Sequence, residues 1–124
     1  MAIDPNAEIG FVAEIDTATL EITRKVTVGY QPEEMVVHDG KLYVANSGGY
    51  RVPNYDHTVS VVDLESFTEI KKIDVGINLL RMAIDRQGDI YVSSRGDYYD
   101  TPPNLFVIDS KTDKVTHQLD IPVM

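Results

Sequence analysis

Four short segments of alternating hydrophobicity, recurring every 46–48 residues, predict an all-β fold: a β-propeller fragment with four-stranded antiparallel blades. The first observation is the repeat itself. Val12-Ala13-Glu14-Ile15-Asp16, Ser60-Val61-Val62-Asp63 and Phe106-Val107-Ile108-Asp109 resemble one another, and their closing aspartates lie 47 and 46 residues apart. Met35 and Met82 keep the interval of 47, as do Gly29 and Gly76. Leu42-Tyr43-Val44 recurs as Ile90-Tyr91-Val92 at 48, and so do Gly48 as Gly96 and Tyr50 as Tyr98. The second observation is a two-residue alternation in each segment, which excludes helical repeats of the same length. The third is turn chemistry between the segments. A two-sheet sandwich, the other all-β arrangement, would not require matching sequences at a fixed interval.

The elements follow in order. Residues 1–10 form a lead-in. Residues 11–29 supply the outer two strands of a preceding blade, at 11–16 and 20–28. In the second of these, Leu20, Ile22, Val26 and Val28 are expected on one face, and Glu21, Thr23, Lys25 and Thr27 on the other. Residues 30–76 form a complete blade with strands at about 34–38, 41–46, 58–63 and 68–75. Residues 77–124 form another, with strands at about 80–85, 89–94, 104–109 and 113–121. Asp39-Gly40 and Gln87-Gly88 read as hairpin turns that need positive φ. Asp16, Asp63 and Asp109 each precede a turn containing Thr19, Ser66 or Thr112, which makes them turn-forming acceptors rather than catalytic acids.

Composition removes several classes of function. The 124 residues carry eleven Lys and Arg against twenty Asp and Glu, a formal charge of −9, with no basic run. Nucleic acid is therefore not an expected partner. No apolar run approaches the roughly 20 residues that span a bilayer. Met1-Ala2-Ile3-Asp4-Pro5 lacks the basic and apolar regions of a signal peptide. There is no cysteine, and the three histidines do not cluster in sequence, so no transition-metal site is expected. His38 ends an inner strand near a hairpin turn, His57 lies in a loop, and His117 shares a repeat position with Arg24 and Lys71.

Leu42-Tyr43-Val44-Ala45-Asn46, Thr58-Val59-Ser60-Val61-Val62-Asp63 and Ile73-Asp74-Val75-Gly76 resemble the YVTN-type repeat of surface-layer-like propellers. The resemblance extends over residues 11–121. Members of that family usually close seven blades, which this length does not supply. The chain departs from the plain repeat in its links from second to third strand, which are long. Residues 47–57 and 95–103 form loops rich in Gly, Tyr and Pro that resemble those of Bacteroidetes surface lipoprotein propellers, including cobalamin-capturing proteins. The resemblance implies a location at the cell surface (outer membrane) or in the periplasm, and a corrinoid as one candidate ligand.

Alternating strand direction puts the second-to-third links on the same face as the inter-blade links, 29–33 and 76–79. Five of the seven tyrosines fall in these two loop classes: Tyr30, Tyr50, Tyr55, Tyr98 and Tyr99. Tyrosine offers a flat apolar body and a polar tip, suited to an amphipathic small molecule. Arg51, Arg81 and Arg95 add donors or stacking planes, and Asp97 an acceptor. Tyr43 and Tyr91, inside matched strands, are assigned to packing. Asp56, Asp97 and Asp100 offer oxygens to calcium, though their spacing matches no known calcium loop. Arg95-Gly96-Asp97 spells an integrin-binding tripeptide by coincidence. The resulting expectation is a non-catalytic ligand-binding module without a bound cofactor. The alternatives are a protein–protein interaction scaffold, its tyrosines serving as anchors, and part of a propeller hydrolase or lyase whose catalytic residues lie in further blades. Two and a half blades leave two faces uncovered, so self-association through open ends or a longer parent chain is also expected.

Overall fold

The computed structural model describes residues 9–48, 55–96 and 103–120. The strands among them are β1 (Phe11–Ile15), β2 (Ile22–Thr27), β3 (Pro32–His38), β4 (Lys41–Asn46), β5 (Thr58–Asp63), β6 (Thr68–Asp74), β7 (Leu79–Ile84), β8 (Asp89–Ser94), β9 (Asn104–Asp109) and β10 (Lys114–Asp120). β1 and β2 pair alone, as a half-blade. β3–β4–β5–β6 and β7–β8–β9–β10 form four-stranded antiparallel sheets with their strands in chain order. The fold is all-β, built of the blades that the sequence predicts, and no helix occurs among the described residues.

The blades stack through alternate residues of their middle strands. Tyr43, Ala45, Val59, Val61 and Ile73 of the first full blade pack on Leu79, Met82, Ile90, Val92 and Ile108 of the second. The opposite face of that first blade, Leu42, Val44, Val62 and Phe67, packs on Val12, Val26 and Val28 of the half-blade. β4 and β5 are therefore buried on both sides almost throughout, whereas the outer strand β6 is mostly exposed.

One expectation about faces fails. Val26 and Val28 are buried, but Leu20 and Ile22 are exposed. The pairing shifts between Glu14↔Arg24 and Ile15↔Ile22, which leaves an extra residue in β2 and turns the side chains beyond it to the other face. The same bulge recurs in β6, between Val61↔Lys71 and Val62↔Glu69, and in β10, between Ile108↔Val115 and Val107↔His117. It is a repeated feature of the outer strand that simple alternation does not reveal.

The hairpin turns also differ from one another. Asp39 and Gly40 have φ of 50° and 76°, a two-residue turn with both centres left-handed. In the second full blade the turn spans Asp85 to Gly88, closed by Gly88 N–H to the Asp85 carbonyl at 3.2 Å, and Gly88 carries the positive φ while Gln87 does not. This extra residue is where the repeat interval lengthens from 47 to 48.

Candidate functional site

The inter-blade links and the bases of the long loops meet along one rim, joined by a continuous chain of hydrogen bonds. The Tyr30 N–H donates to Asp56 Oδ2 at 2.7 Å, and the Tyr30 carbonyl accepts from Gly48 N–H at 3.0 Å. Asp56 N–H donates to the Ser47 carbonyl at 3.1 Å. Asn78 N–H donates to the Asp56 carbonyl at 3.0 Å, and Arg95 N–H to the Asn78 carbonyl at 2.9 Å. The belt thus runs from the first link through the base of loop 47–57 and the second link to the base of loop 95–103.

Two side chains hold the first half of the belt. Asp56 is buried, and its Oδ1 accepts His57 N–H at 2.7 Å, Thr58 N–H at 3.1 Å and the Thr58 hydroxyl at 2.8 Å. Buried Asn46 accepts Gly29 N–H on Oδ1 at 3.1 Å and donates from Nδ2 to Thr58 Oγ1 at 3.2 Å and Ser60 Oγ at 3.0 Å. Gly29 is there because a Cβ would collide with the Asn46 and Asp56 side chains. In the second full blade, Ser94 takes the place of Asn46 and accepts Asn104 N–H at 3.2 Å. Buried Asn78 donates Nδ2 to the Gly96 carbonyl at 3.1 Å, while its Oδ1 has no donor among the described residues. Gln31 and Asn78 share a repeat position, and both are left-handed, at φ 46° and 57°. These residues shape the links into the rim.

Of the sequence-predicted site residues, Tyr30 and Arg95 stand in this belt and Tyr55 immediately precedes Asp56 of it, each half-buried. Arg81 stands apart, on the innermost strand β7, exposed, with Nη1 3.5 Å from Glu34 Oε2 on β3. Tyr50, Arg51, Asp97, Tyr98 and Tyr99 lie outside the described residues, as does Asp100. Sequence reasoning missed Asn46 and Asn78. Asn46 is replaced by Ser94 in the next repeat, so alignment of repeats gives no cue to it. The glycine interval 29/76 was the one visible signal. Asp56, read as a calcium-ligand candidate, accepts four protein donors.

The opposite face is built for structure. Asp16 Oδ1 accepts Ala18 N–H at 2.8 Å, Asp109 Oδ1 accepts Lys111 N–H at 2.9 Å, and Asp63 Oδ2 accepts the Ser66 hydroxyl at 2.8 Å. The Ser66 hydroxyl and turn N–H groups favour the Asp63 carboxylate and lower its pKa. A cleft of about 300 Å³ between the full blades lies here, lined by His38, Asp39, Lys41, Tyr43, Ser110 and Lys111. A second groove, of about 280 Å³, runs between β1 and β3 beside Phe11, Ala13, Pro32 and Met35. Neither groove involves the belt.

No family model matches the chain, and no curated protein matches it. Solved structures do. Hydrazine synthase of Kuenenia stuttgartiensis superposes with a TM-score of 0.69 over 84% of this chain, at 29% identity. Dihydro-heme d1 dehydrogenase NirN in complex with DHE superposes with a TM-score of 0.63 over 88%, at 16% identity. Both neighbours are β-propeller proteins. This chain spans 28% and 23% of their lengths. The stacked four-stranded sheets and these superpositions together make the chain a β-propeller module.

Proposed function

We propose that this module is non-catalytic and captures a small amphipathic ligand on its rim, with the tyrosines of the long loops as the contact surface. The observation that supports the reading is the hydrogen-bonded belt, which ties the bases of both tyrosine-rich loops and both inter-blade links to one face. Rigid strands beneath variable loops are a common way to build a binding surface. Tyrosine gives such a surface area and polar tips at low entropic cost. Asn78 adds a buried acceptor, unpaired among the described residues, at the base of the second loop.

On the resemblance of the two loops to those of surface lipoprotein propellers, the proposed ligand class is a corrinoid, and the proposed setting the cell surface or periplasm of a YVTN-type protein. Titration calorimetry with cobalamin tests both steps. The unaltered chain should bind, and Tyr50→Ala with Tyr98→Ala should weaken binding more than about tenfold, the loss of at least 1.4 kcal/mol. Unchanged affinity in that double variant overturns the rim as the site. No heat with cobalamin, but binding of another small molecule that the variant abolishes, overturns the corrinoid alone.

Both structural neighbours are named as enzymes, which favours a second reading: a segment of a catalytic propeller whose reacting groups lie in further blades. Turnover by a longer chain that survives the tyrosine substitutions and is lost with EDTA would favour it.

A further inference from the structure

In each blade the start of the third strand and the end of the outer strand meet at the rim, and one of these meetings carries a histidine–aspartate pair. His57 immediately precedes β5, and Asp74 ends β6, the strand paired with it. His57 Nδ1 lies 2.7 Å from Asp74 Oδ1. A carboxylate has no proton to give, so the ring donates from Nδ1 and the neutral imidazole keeps its lone pair on Nε2. Nε2 has no hydrogen-bond partner among the described residues, and the His57 side chain is 51% exposed.

The fold does not call for this pair. The position before the third strand is Gly10 in the half-blade and Pro103 in the second full blade, and the end of the outer strand is Thr27 and Asp120. Histidine therefore stands at one junction, and no repeat demands it. Asp74 is 82% exposed, and a contact so open to water adds little stability. The surroundings of the pair are those of the belt. Asp56, the residue before His57, holds the Tyr30 N–H, and the His57 carbonyl accepts Val75 N–H at 2.9 Å where the chain leaves for the second full blade. His57 thus faces solvent on the rim, between the base of the first long loop and the second link, at a junction internal to the chain.

A carboxylate that fixes the tautomer and orientation of a histidine is the usual support of a metal-ligating imidazole. Among the described residues no three His, Asp or Glu side chains gather to hold a metal ion, so a free ion would find one ligand where it needs several. A corrinoid removes that difficulty. Its cobalt is already held in plane by four ring nitrogens and asks the protein for a single axial ligand, as haem iron does. We propose that His57 Nε2 is the axial ligand to the cobalt of a corrinoid bound on the rim, with Asp74 as the positioning residue behind it. The inference rests on the corrinoid reading above and extends it from the edge of the ligand, where the tyrosines lie, to its metal. With aquocobalamin the step is a ligand exchange: the bound water leaves with its electron pair, Nε2 supplies another, and cobalt keeps its oxidation state.

Visible absorption of aquocobalamin titrated with the chain tests this, with aquocobalamin plus free imidazole as the spectral reference. The unaltered chain should move the absorption bands to the reference positions. His57→Ala, at an exposed position, should keep the circular dichroism of the unaltered chain, leave the bands unmoved and bind at least about tenfold more weakly by calorimetry. Asp74→Asn should still move the bands, at reduced affinity; an affinity equal to that of the unaltered chain would overturn the role of Asp74. Cyanocobalamin, whose cyanide imidazole does not displace, should bind the unaltered chain and His57→Ala alike. Aquocobalamin binding with no band shift, or a shift that His57→Ala retains, would overturn the proposal and leave the rim site standing. If neither cobalamin binds the unaltered chain, the corrinoid reading falls and His57 ligation with it. If the shift survives Tyr50→Ala with Tyr98→Ala at full affinity, the tyrosine surface falls and His57 ligation stands.

Discussion

The Asp56 carboxylate reaches back 26 residues to accept the Tyr30 N–H at 2.7 Å, so one buried side chain ties the base of the first long loop to the link between two blades. Its other oxygen accepts three donors from His57 and Thr58. Asp56→Ala leaves several of these donors unsatisfied, and each buried unpaired donor costs about 1–3 kcal/mol. The variant should melt several degrees lower. If it also binds the rim ligand more weakly while the far-ultraviolet spectrum is unchanged, the loop base contributes to the binding surface. A melting temperature within a degree of the unaltered chain would contradict this account of Asp56.

Gly29 tests the same junction from the other side. A methyl group there meets both the Asn46 and the Asp56 side chains. Overpacking of this kind costs about 1–3 kcal/mol. Gly29→Ala should therefore lower the denaturant midpoint, whereas Gly40→Ala, whose Cβ would meet no atom within 4 Å, should lose only what its positive φ imposes.

The repeat was legible because blade stacking forces the same residue types onto the same strand positions. Strand order followed from hairpin turns and alternation. The faces of β2 were misread because the bulge at its start changes which residues point inward, and Leu20 and Ile22 are as apolar as the valines beyond them. The common rim of the loop bases and the inter-blade links was legible from strand direction alone. The side chains that fasten that face were not. Asn46 has no repeat mate of its own type, and the contacts of Asp56 join segments whose proximity exists in the stacked blades and has no local sequence mark. Arg81 was grouped with the rim arginines by residue type, and the fold sets it on the innermost strand instead.

Acid should weaken the junction between the half-blade and the first full blade. The Glu14 carboxylate pairs with Arg24 and accepts the Thr23 hydroxyl at 2.8 Å, which lowers its pKa from 4.5 to about 2. A depressed carboxyl pKa contributes stability that is present above the unfolded value and lost as pH falls from 4.5 towards 2. The contribution is small, since both side chains are partly exposed and salt screens them. Glu14→Gln should therefore flatten the acid side of the melting-temperature profile slightly. An equal slope in both proteins would remove Glu14 from the acid response.

Tyr43 and Tyr91 occupy the same repeat position, yet their hydroxyls should differ in worth. Tyr43 is wholly buried, and donates to Asp113 across the blade junction; burial, then the Asp113 carboxylate, raises its pKa. Tyr43→Phe removes the donor while leaving the charged acceptor in place. A hydrogen bond to a charged group contributes about 1.5–3 kcal/mol, so the variant should unfold at clearly lower denaturant. The Tyr91 hydroxyl bonds Asp85 within its own blade at 3.1 Å, in the open. Tyr91→Phe should fall within about 0.5 kcal/mol of the unaltered chain. Equal losses at the two positions would mean that the hydroxyl acts within a blade, and the junction would then rest on apolar contact alone.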